Sequence, residues 1–105
     1  MDKVSDRLIA IINKFVEEAL KENIRISQVV LFGSHAKGTN NEYSDIDIAV
    51  VSEDFDGIRL FDNLKLGKPR VKTDIDLETH PYRPEEFNNS NPFVQEILSY
   101  GIRVV

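Results

Sequence analysis

Two aspartates two residues apart, Asp45 and Asp47, are the residues of this chain best suited to chemistry. They lie in Ser44 to Val51, where polar and apolar residues alternate, so both side chains are predicted on one face of a strand. At that spacing the backbone positions are about 6–7 Å apart, and the two carboxylates can converge on a metal ion. Carboxylates held this close repel each other, and a divalent cation compensates the repulsion.

A third predicted strand, Val71 to Glu78, carries further acids. Its alternation places Asp74, Asp76 and Glu78 on one face, and pairing with strand 44–51 would bring one of them beside the aspartate pair. Three carboxylates around two divalent ions form the two-metal arrangement used in phosphoryl and nucleotidyl transfer. Because the chain has no cysteine and only two histidines, oxygen ligands and therefore Mg²⁺ or Mn²⁺ are expected.

The turn Gly33-Ser34 has the features of a phosphate-binding loop. It directly follows the apolar run Gln28 to Phe32, which is predicted to be a buried strand, so it projects from the end of the sheet. Glycine lets a phosphate approach the backbone closely, Ser34 can donate its hydroxyl, and the N–H groups of the following turn can bind phosphate oxygens. His35 and Lys37 could add positive charge.

The chain resembles the DNA polymerase β-like nucleotidyltransferase superfamily in two segments, Gly33-Ser34-His35-Ala36-Lys37-Gly38 and Ser44-Asp45-Ile46-Asp47-Ile48-Ala49-Val50. It is most similar to the minimal nucleotidyltransferase (MNT) group, and the resemblance covers nearly the whole chain. The resemblance implies that the Gly-Ser turn binds the triphosphate and that Asp45 and Asp47 bind metal. It also implies that Asp76 is the third acid, with Asp74 as the fallback.

The resemblance thus gives a full set of expected site residues. The catalytic and metal-binding residues are Asp45, Asp47 and Asp76, and the nucleotide-binding residues are Gly33, Ser34, Lys37 and Ser44. The sequence has His35 and Lys37 where arginines are common in the family, so their part in phosphate binding stays open. Ser44 also fits a role in shaping the entry to its strand.

The activity expected from the resemblance is a Mg²⁺-dependent transfer of a nucleoside monophosphate, with AMP from ATP favoured, onto an acceptor hydroxyl. Two Mg²⁺ ions are expected, and Mn²⁺ is a possible substitute. The resemblance further implies a toxin–antitoxin system in which the chain, as the antitoxin, adenylylates a tyrosine of a helical HEPN partner. Two alternatives stay open: an antitoxin that neutralises such a partner by contact alone, and a sensor that binds a nucleotide without turnover.

Length and charge restrict the remaining possibilities. A chain of 105 residues has room for one domain over residues 1–105, and a partner or a second copy is expected to complete the site. A net charge of −5 gives no basis for direct nucleic-acid binding. Charges interrupt the apolar stretches, so no membrane helix or signal peptide is expected, and the absence of cysteine fits the cytoplasm.

The hydrophobic periodicity also predicts the elements that position these residues. The expected fold is α/β (α+β), with a small mixed β-sheet flanked by helices, as in polymerase β-like nucleotidyltransferases. Helices are predicted over 3–22, 57–67 and 93–100, with a short helix in 33–38 and a helical turn at 84–87. Strands are predicted over 28–32, 44–51 and 71–78, with a short edge strand at 102–105.

Overall fold

The structure, a computed structural model, describes residues 4–105. The helices are α1 (Asp6–Lys21), α2 (Ser34–Lys37), α3 (Arg59–Lys65), α4 (Gly67–Thr73) and α5 (Pro92–Tyr100), with a 3₁₀ turn at Pro84–Glu86. The strands are β1 (Gln28–Phe32), β2 (Ile46–Val51), β3 (Leu77–Tyr82) and β4 (Ile102–Arg103). They form one sheet in the order β3-β2-β1-β4, in which β1 runs antiparallel to β2 and β4 while β2 and β3 are parallel. The predicted mixed sheet flanked by helices is confirmed.

Helix α1 covers one face of the sheet. The hydroxyl of Ser5 caps it by accepting a hydrogen bond from Leu8 N–H at 3.2 Å. The buried residues recur at helical spacing, as predicted: Leu8, Ile12, Phe15 and Ala19. The predicted start at residue 3 lies outside the described residues. Within residues 4–105, no helix combines the length and the apolar character that a membrane span requires.

The two faces of β2 belong to different cores. Ile46, Ile48 and Val50 share one apolar cluster with α1, whereas Ala49 and Val51 share another with Val94 and Ile97 of α5. This is the predicted alternation, and it places Asp47 on the α5 side of the sheet. The helical spacing of α5 also predicts that Phe93 and Leu98 face the core, but these residues are 43% and 39% exposed.

The predicted third strand over 71–78 is wrong, because residues 67–73 form α4 and β3 begins only at Leu77. Pro69 fits the helix since it lies in the first turn, where a proline's missing N–H has no helical partner to lose. Val71 and Ile75, expected on one strand face with Leu77, are both exposed. The alternation in this segment therefore reflects an exposed helix and a turn.

Strand β3 also tolerates a proline, Pro81, because it is an edge strand. In β3 and the residue before it, the backbone groups of even-numbered residues face β2. Ile46 N–H donates to Asp76 O at 2.8 Å, and Ser52 N–H donates to Tyr82 O at 3.1 Å. Pro81 lies between such positions, so its missing donor faces away from β2. The proline thus costs no hydrogen bond of the ladder.

Helix α3 turns its apolar residues outward. Four large side chains that the periodicity grouped on one side are 52–69% exposed, namely Ile58, Leu60, Phe61 and Leu64. The buried residue of the helix is instead Asp62, whose carboxylate accepts hydrogen bonds from the N–H groups of Asp56 and Gly57, both at 2.9 Å. These bonds satisfy the buried charge and fix the loop that leads into α3.

Candidate active site

Gly33 and Asp47 lie in direct contact at the point where β1 ends. Phe32 and Asp47 are register partners in the antiparallel β1–β2 pair, so the next residue, Gly33, turns over the aspartate. A Cβ built on Gly33 would overlap Oδ2 of Asp47 and lie 3.1 Å from its Cγ. The φ of Gly33 is also +74°, a left-handed value that side chains disfavour. Glycine is thus required here for both backbone conformation and space.

Asp47 meets two further side chains on the neighbouring strand. Glu78 is its register partner in the parallel β2–β3 pair, and His80 lies two residues further along the same face. Asp47, Glu78 and His80 each offer one atom that could bind a metal ion, a carboxylate oxygen or an imidazole nitrogen. These atoms lie within 4.8 Å of one another. The sequence placed Glu78 on the acidic face of the predicted third strand without singling it out, and His80 was interpreted as a strand-end residue outside the site. The deciding signal is the strand register, which an isolated sequence does not contain.

Among residues 4–105, no lysine or arginine forms an ion pair with the carboxylate of Asp47 or Glu78, and the basic side chain near them is His80. Burial raises the pKa of the Asp47 carboxyl, and the nearby charge of Asp45 raises it further, although a hydrogen bond to Glu78 acts the other way. Burial and the charge of Asp47 likewise raise the pKa of Glu78. A divalent cation would relieve this repulsion, and the carboxylate oxygens are the hard donors that such an ion prefers. The residues present therefore fit a divalent metal.

The aspartates Asp45 and Asp76 lie at the border of this cluster. Asp45 is exposed and directly precedes β2, close enough for its charge to raise the pKa of both Asp47 and Glu78. Asp76 directly precedes β3 and is also exposed; it lines a cleft of about 460 Å³ together with His35 and Ser44. Among residues 4–105, Asp76 is outside the group whose donor atoms meet at Asp47.

The fallback residue Asp74 has a structural role. It ends α4, and its Oδ1 accepts a hydrogen bond from Asp76 N–H at 2.8 Å. Its Oδ2 lies 3.9 Å from the Arg7 guanidinium. These contacts turn the carboxylate of Asp74 toward its own loop and α1.

The Gly-Ser turn forms the first residues of α2. Gly33 O accepts hydrogen bonds from the N–H groups of Ala36 at 3.2 Å and Lys37 at 3.1 Å. As the first residues of a helix, Ser34 and His35 have N–H groups without a partner inside the helix. Gly33 N–H is used differently, since it donates to the hydroxyl of Tyr100 at 3.0 Å. The turn is thus tied to α5 through its glycine and leaves the following amides available.

Lys37 and Ser44, the other two predicted nucleotide-binding residues, lie to either side of this turn. The ammonium of Lys37 is 4.6 Å from the centre of the Tyr100 ring, a cation–π contact. The hydroxyl of Ser44 accepts a hydrogen bond from Asn41 N–H at 2.9 Å, which closes the loop before β2. This contact agrees with the role of Ser44 in shaping the strand entry.

Comparison with known sequences places this chain among proteins described as nucleotidyltransferases. The sequence profile described as "nucleotidyltransferase domain" matches residues 12–104. A proposed protein adenylyltransferase of Methanocaldococcus jannaschii is 42% identical over 48 residues, which are 46% of this chain and 55% of that protein. The match therefore spans about half the length of that relative.

Solved structures share the fold at low sequence identity. A proposed nucleotidyltransferase from Sulfolobus solfataricus has a TM-score of 0.62 at 20% identity, over 92% of this chain and 78% of that one. A toxin–antitoxin with AMP-PNP has a TM-score of 0.60 at 22% identity, over 89% and 71% of the two chains. A mutant of the toxin–antitoxin MntA-HpeT has a TM-score of 0.60 at 18% identity, over 92% and 72%. With the profile matching most of its length and the fold shared, this chain belongs to the nucleotidyltransferase domain family.

Proposed function

We propose that the chain is a Mg²⁺-dependent nucleotidyltransferase that transfers AMP from ATP to a hydroxyl group of a protein partner. The observation that carries the proposal is the convergence of Asp47 and Glu78 beside the glycine of the Gly-Ser turn. Membership of the family supports transfer of a nucleoside monophosphate. The relative named as a protein adenylyltransferase supports AMP and a protein acceptor, and the relative crystallised with AMP-PNP supports ATP.

Asp45, Asp47 and one acid of the β3 segment are proposed to hold two Mg²⁺ ions, with Mn²⁺ as a substitute. Ions held by these acids would offset the charge of the triphosphate and would lower the pKa of the acceptor hydroxyl. Asp47 fixes the position of the site, because its carboxylate packs on Gly33. Asp45 is exposed and therefore free to turn toward the same point.

Two candidates compete for the third acid. The resemblance favours Asp76, whereas the register of the sheet favours Glu78, the partner of Asp47. Asp76→Asn and Glu78→Gln each remove one charge with little change in shape, and AMP transfer measured for both separates them. We expect the larger loss for Glu78→Gln; a larger loss for Asp76→Asn would assign the third position to Asp76.

The Gly-Ser turn is proposed to bind the triphosphate. The N–H groups of Ser34 and His35 and the hydroxyl of Ser34 offer donors, while Lys37 adds charge and Ser44 holds the neighbouring loop. Ser34→Ala should raise KM for ATP more than it lowers kcat, because the hydroxyl contacts phosphates distant from the reacting bond. Equal ATP affinity in the two proteins would remove Ser34 from the binding site.

The proposed acceptor is a tyrosine of a helical HEPN-type toxin, and the chain would act as its antitoxin. Two structural relatives are toxin–antitoxin proteins, which supports a toxin as the acceptor. The test combines the purified chain, ATP labelled on the α-phosphate, Mg²⁺ and the protein product of the neighbouring gene. Transfer of label to that protein, located on a residue by mass spectrometry, is the expected result.

Substitutions of the aspartate pair test the chemistry itself. Asp45→Asn and Asp47→Asn should each reduce transfer by about a thousandfold or more, the rate equivalent of several kcal/mol of lost metal stabilisation. Asp54→Asn is the matched control, because this acid pairs with Arg25 at the far end of β2. Transfer retained by a folded Asp47→Asn protein would refute the assignment, and toxin neutralisation without transfer would favour action by contact.

A further inference from the structure

His80 is enclosed at the edge of the carboxylate cluster. Its side chain is 14% exposed. It packs edge-on against the ring of Phe32, with 4.9 Å between ring centroids, and lies 6.5 Å from the ring of Phe93. The ring is therefore held in one orientation on the α5 side of the sheet.

A hydrogen bond from Arg59 determines which ring nitrogen carries the proton. Nη2 of Arg59 lies 2.9 Å from Nδ1 of His80. Since a guanidinium group only donates hydrogen bonds, Nδ1 must accept, and the proton of the neutral ring is on Nε2. The guanidinium is itself positioned over the ring of Phe93, with its carbon 5.9 Å from the ring centroid.

The protonated nitrogen faces the two carboxylates. Nε2 of His80 lies 3.5 Å from Oδ1 of Asp47 and 3.9 Å from Oε1 of Glu78. Nε2 is buried and has no hydrogen-bond partner among the described residues. A buried donor without a partner is costly, and catalytic hydrogen bonds are often long before substrate binds. A small rotation of the Asp47 carboxylate would complete this bond.

We propose that His80 is a positioning residue, which Arg59 holds as the Nε2–H tautomer so that it donates to Asp47 and orients that carboxylate. His80 therefore does not bind metal, although its ring lies within reach of the cluster. The ligands left for a cation are carboxylate oxygens, which favour Mg²⁺ or Mn²⁺ over Zn²⁺. The inference rests on the proposed function for its biological meaning, but its geometry can be tested without an acceptor.

The tautomer is measured by long-range ¹H–¹⁵N NMR of the two imidazoles, with His80→Gln used to assign the signals. We expect the His80 proton on Nε2 in the metal-free protein and no change when Mg²⁺ is added. A proton on Nδ1, or loss of the Nε2 proton on adding Mg²⁺, would overturn the proposal. Neither result depends on whether an acceptor protein is found.

Mn²⁺ binding, followed by electron paramagnetic resonance, tests the consequence for the cluster. Loss of an outer hydrogen-bond partner typically weakens metal binding about 10–100-fold, and we expect a loss in this range for His80→Ala. His80→Gln should bind Mn²⁺ nearly as well as the original protein, because its amide can accept from Arg59 and donate to Asp47. Unchanged binding in His80→Ala, or an equal loss in His80→Gln, contradicts the positioning role.

Arg59 provides a second set of variants in case His80→Ala does not fold. The residue is exposed, so its substitution leaves the core intact. Arg59→Ala should weaken Mn²⁺ binding and lose the single tautomer, whereas Arg59→Lys should keep part of both because lysine still donates. Arg25→Ala, at the opposite end of β2, is the control and should change neither. With an acceptor available, Arg59→Ala should lower kcat more than it raises KM for ATP.

Discussion

One face of the sheet is covered along β2 by apolar side chains, and the other is covered only in part. Beneath α1, Ile46, Ile48 and Val50 are almost completely buried. On the opposite face α5 packs over the second half of β2, and the first half is left to Asp47. The aspartate shares this uncovered half with Glu78 and with Gly33. Stability and proposed chemistry are thus divided between the two faces of one strand.

This division has an energetic consequence. The α1 face contributes apolar burial, which favours folding. The opposite face brings Asp47 and Glu78 together, and burial and mutual repulsion raise the pKa of each carboxyl. The uncovered half therefore destabilises the metal-free protein, and the covered face has to offset that cost. Substitutions on the two faces should differ both in size and in sign.

The largest effect on stability is expected from Phe15→Ala on the α1 face. Phe15 is fully buried, and truncating a buried phenylalanine typically lowers the free energy of unfolding by about 3–5 kcal/mol. Phe93→Ala removes the same atoms on the opposite face, where the residue is 43% exposed, and should cost about half as much because only about half of its area is buried. Urea unfolding of both proteins measures the difference. Equal losses in the free energy of unfolding would mean that the α1 face does not contribute more to stability than the opposite face.

The next effect concerns the contact between the Gly-Ser turn and the aspartate. Gly33→Ala would push its new methyl group into the Asp47 carboxylate and strain a residue with φ of +74°. Because a displacement of about 1 Å can cost about a hundredfold in rate, we expect AMP transfer to fall by about that factor.

Gly38→Ala is the matched control for this substitution. Gly38 has nearly the same φ, +75°, but a Cβ there meets nothing within 4 Å. Gly38→Ala should lose about 1–2 kcal/mol of stability from the left-handed backbone. Gly33→Ala should lose more, because its ψ of −157° lies in a region that is essentially restricted to glycine and its Cβ overlaps Asp47. Only Gly33→Ala should also lose transfer. Similar transfer in the two variants would show that the contact with Asp47 is unimportant.

Sequence and structure agree best where the local sequence pattern is strong. The bounds of β1 were predicted to the residue, because it is a continuous apolar segment. The long periodic pattern of α1 predicted its buried stripe except at the end, where Leu20 is 57% exposed. The aspartate pair and the Gly-Ser turn came from local spacing, and the structure brings Asp47 and Gly33 into contact.

The prediction failed where tertiary packing decides the outcome. Residues 71–78 alternate in polarity like a strand, yet residues 71–73 belong to helix α4, where Val71 is exposed. The shift of β3 toward Pro81 and Tyr82 then placed Glu78 opposite Asp47. A strand's register depends on its partner, and a change of a few residues alters which acid meets the pair. For that reason the third acid was the least predictable part of the site.

The smallest effect should have the opposite sign to the others. Asp47→Asn removes one of two carboxylates whose pKa values are raised by burial and repulsion, so the metal-free protein should melt a few degrees higher. Asp54→Asn should instead lower the melting temperature slightly, because hydrogen bonds from Arg25 lower the pKa of Asp54 and stabilise its charge.

Added Mg²⁺ should reverse the order of melting temperatures of the original protein and Asp47→Asn. A ligand that binds only the folded state raises the melting temperature, and the rise grows with the logarithm of its affinity. The original protein should therefore gain stability from Mg²⁺, and Asp47→Asn should gain little. Differential scanning fluorimetry with and without Mg²⁺ measures both effects. If the metal-free Asp47→Asn protein melts below the original, Asp47 stabilises the metal-free fold. The carboxylates of Asp47 and Glu78 would then exert no destabilising repulsion that a bound cation could reduce.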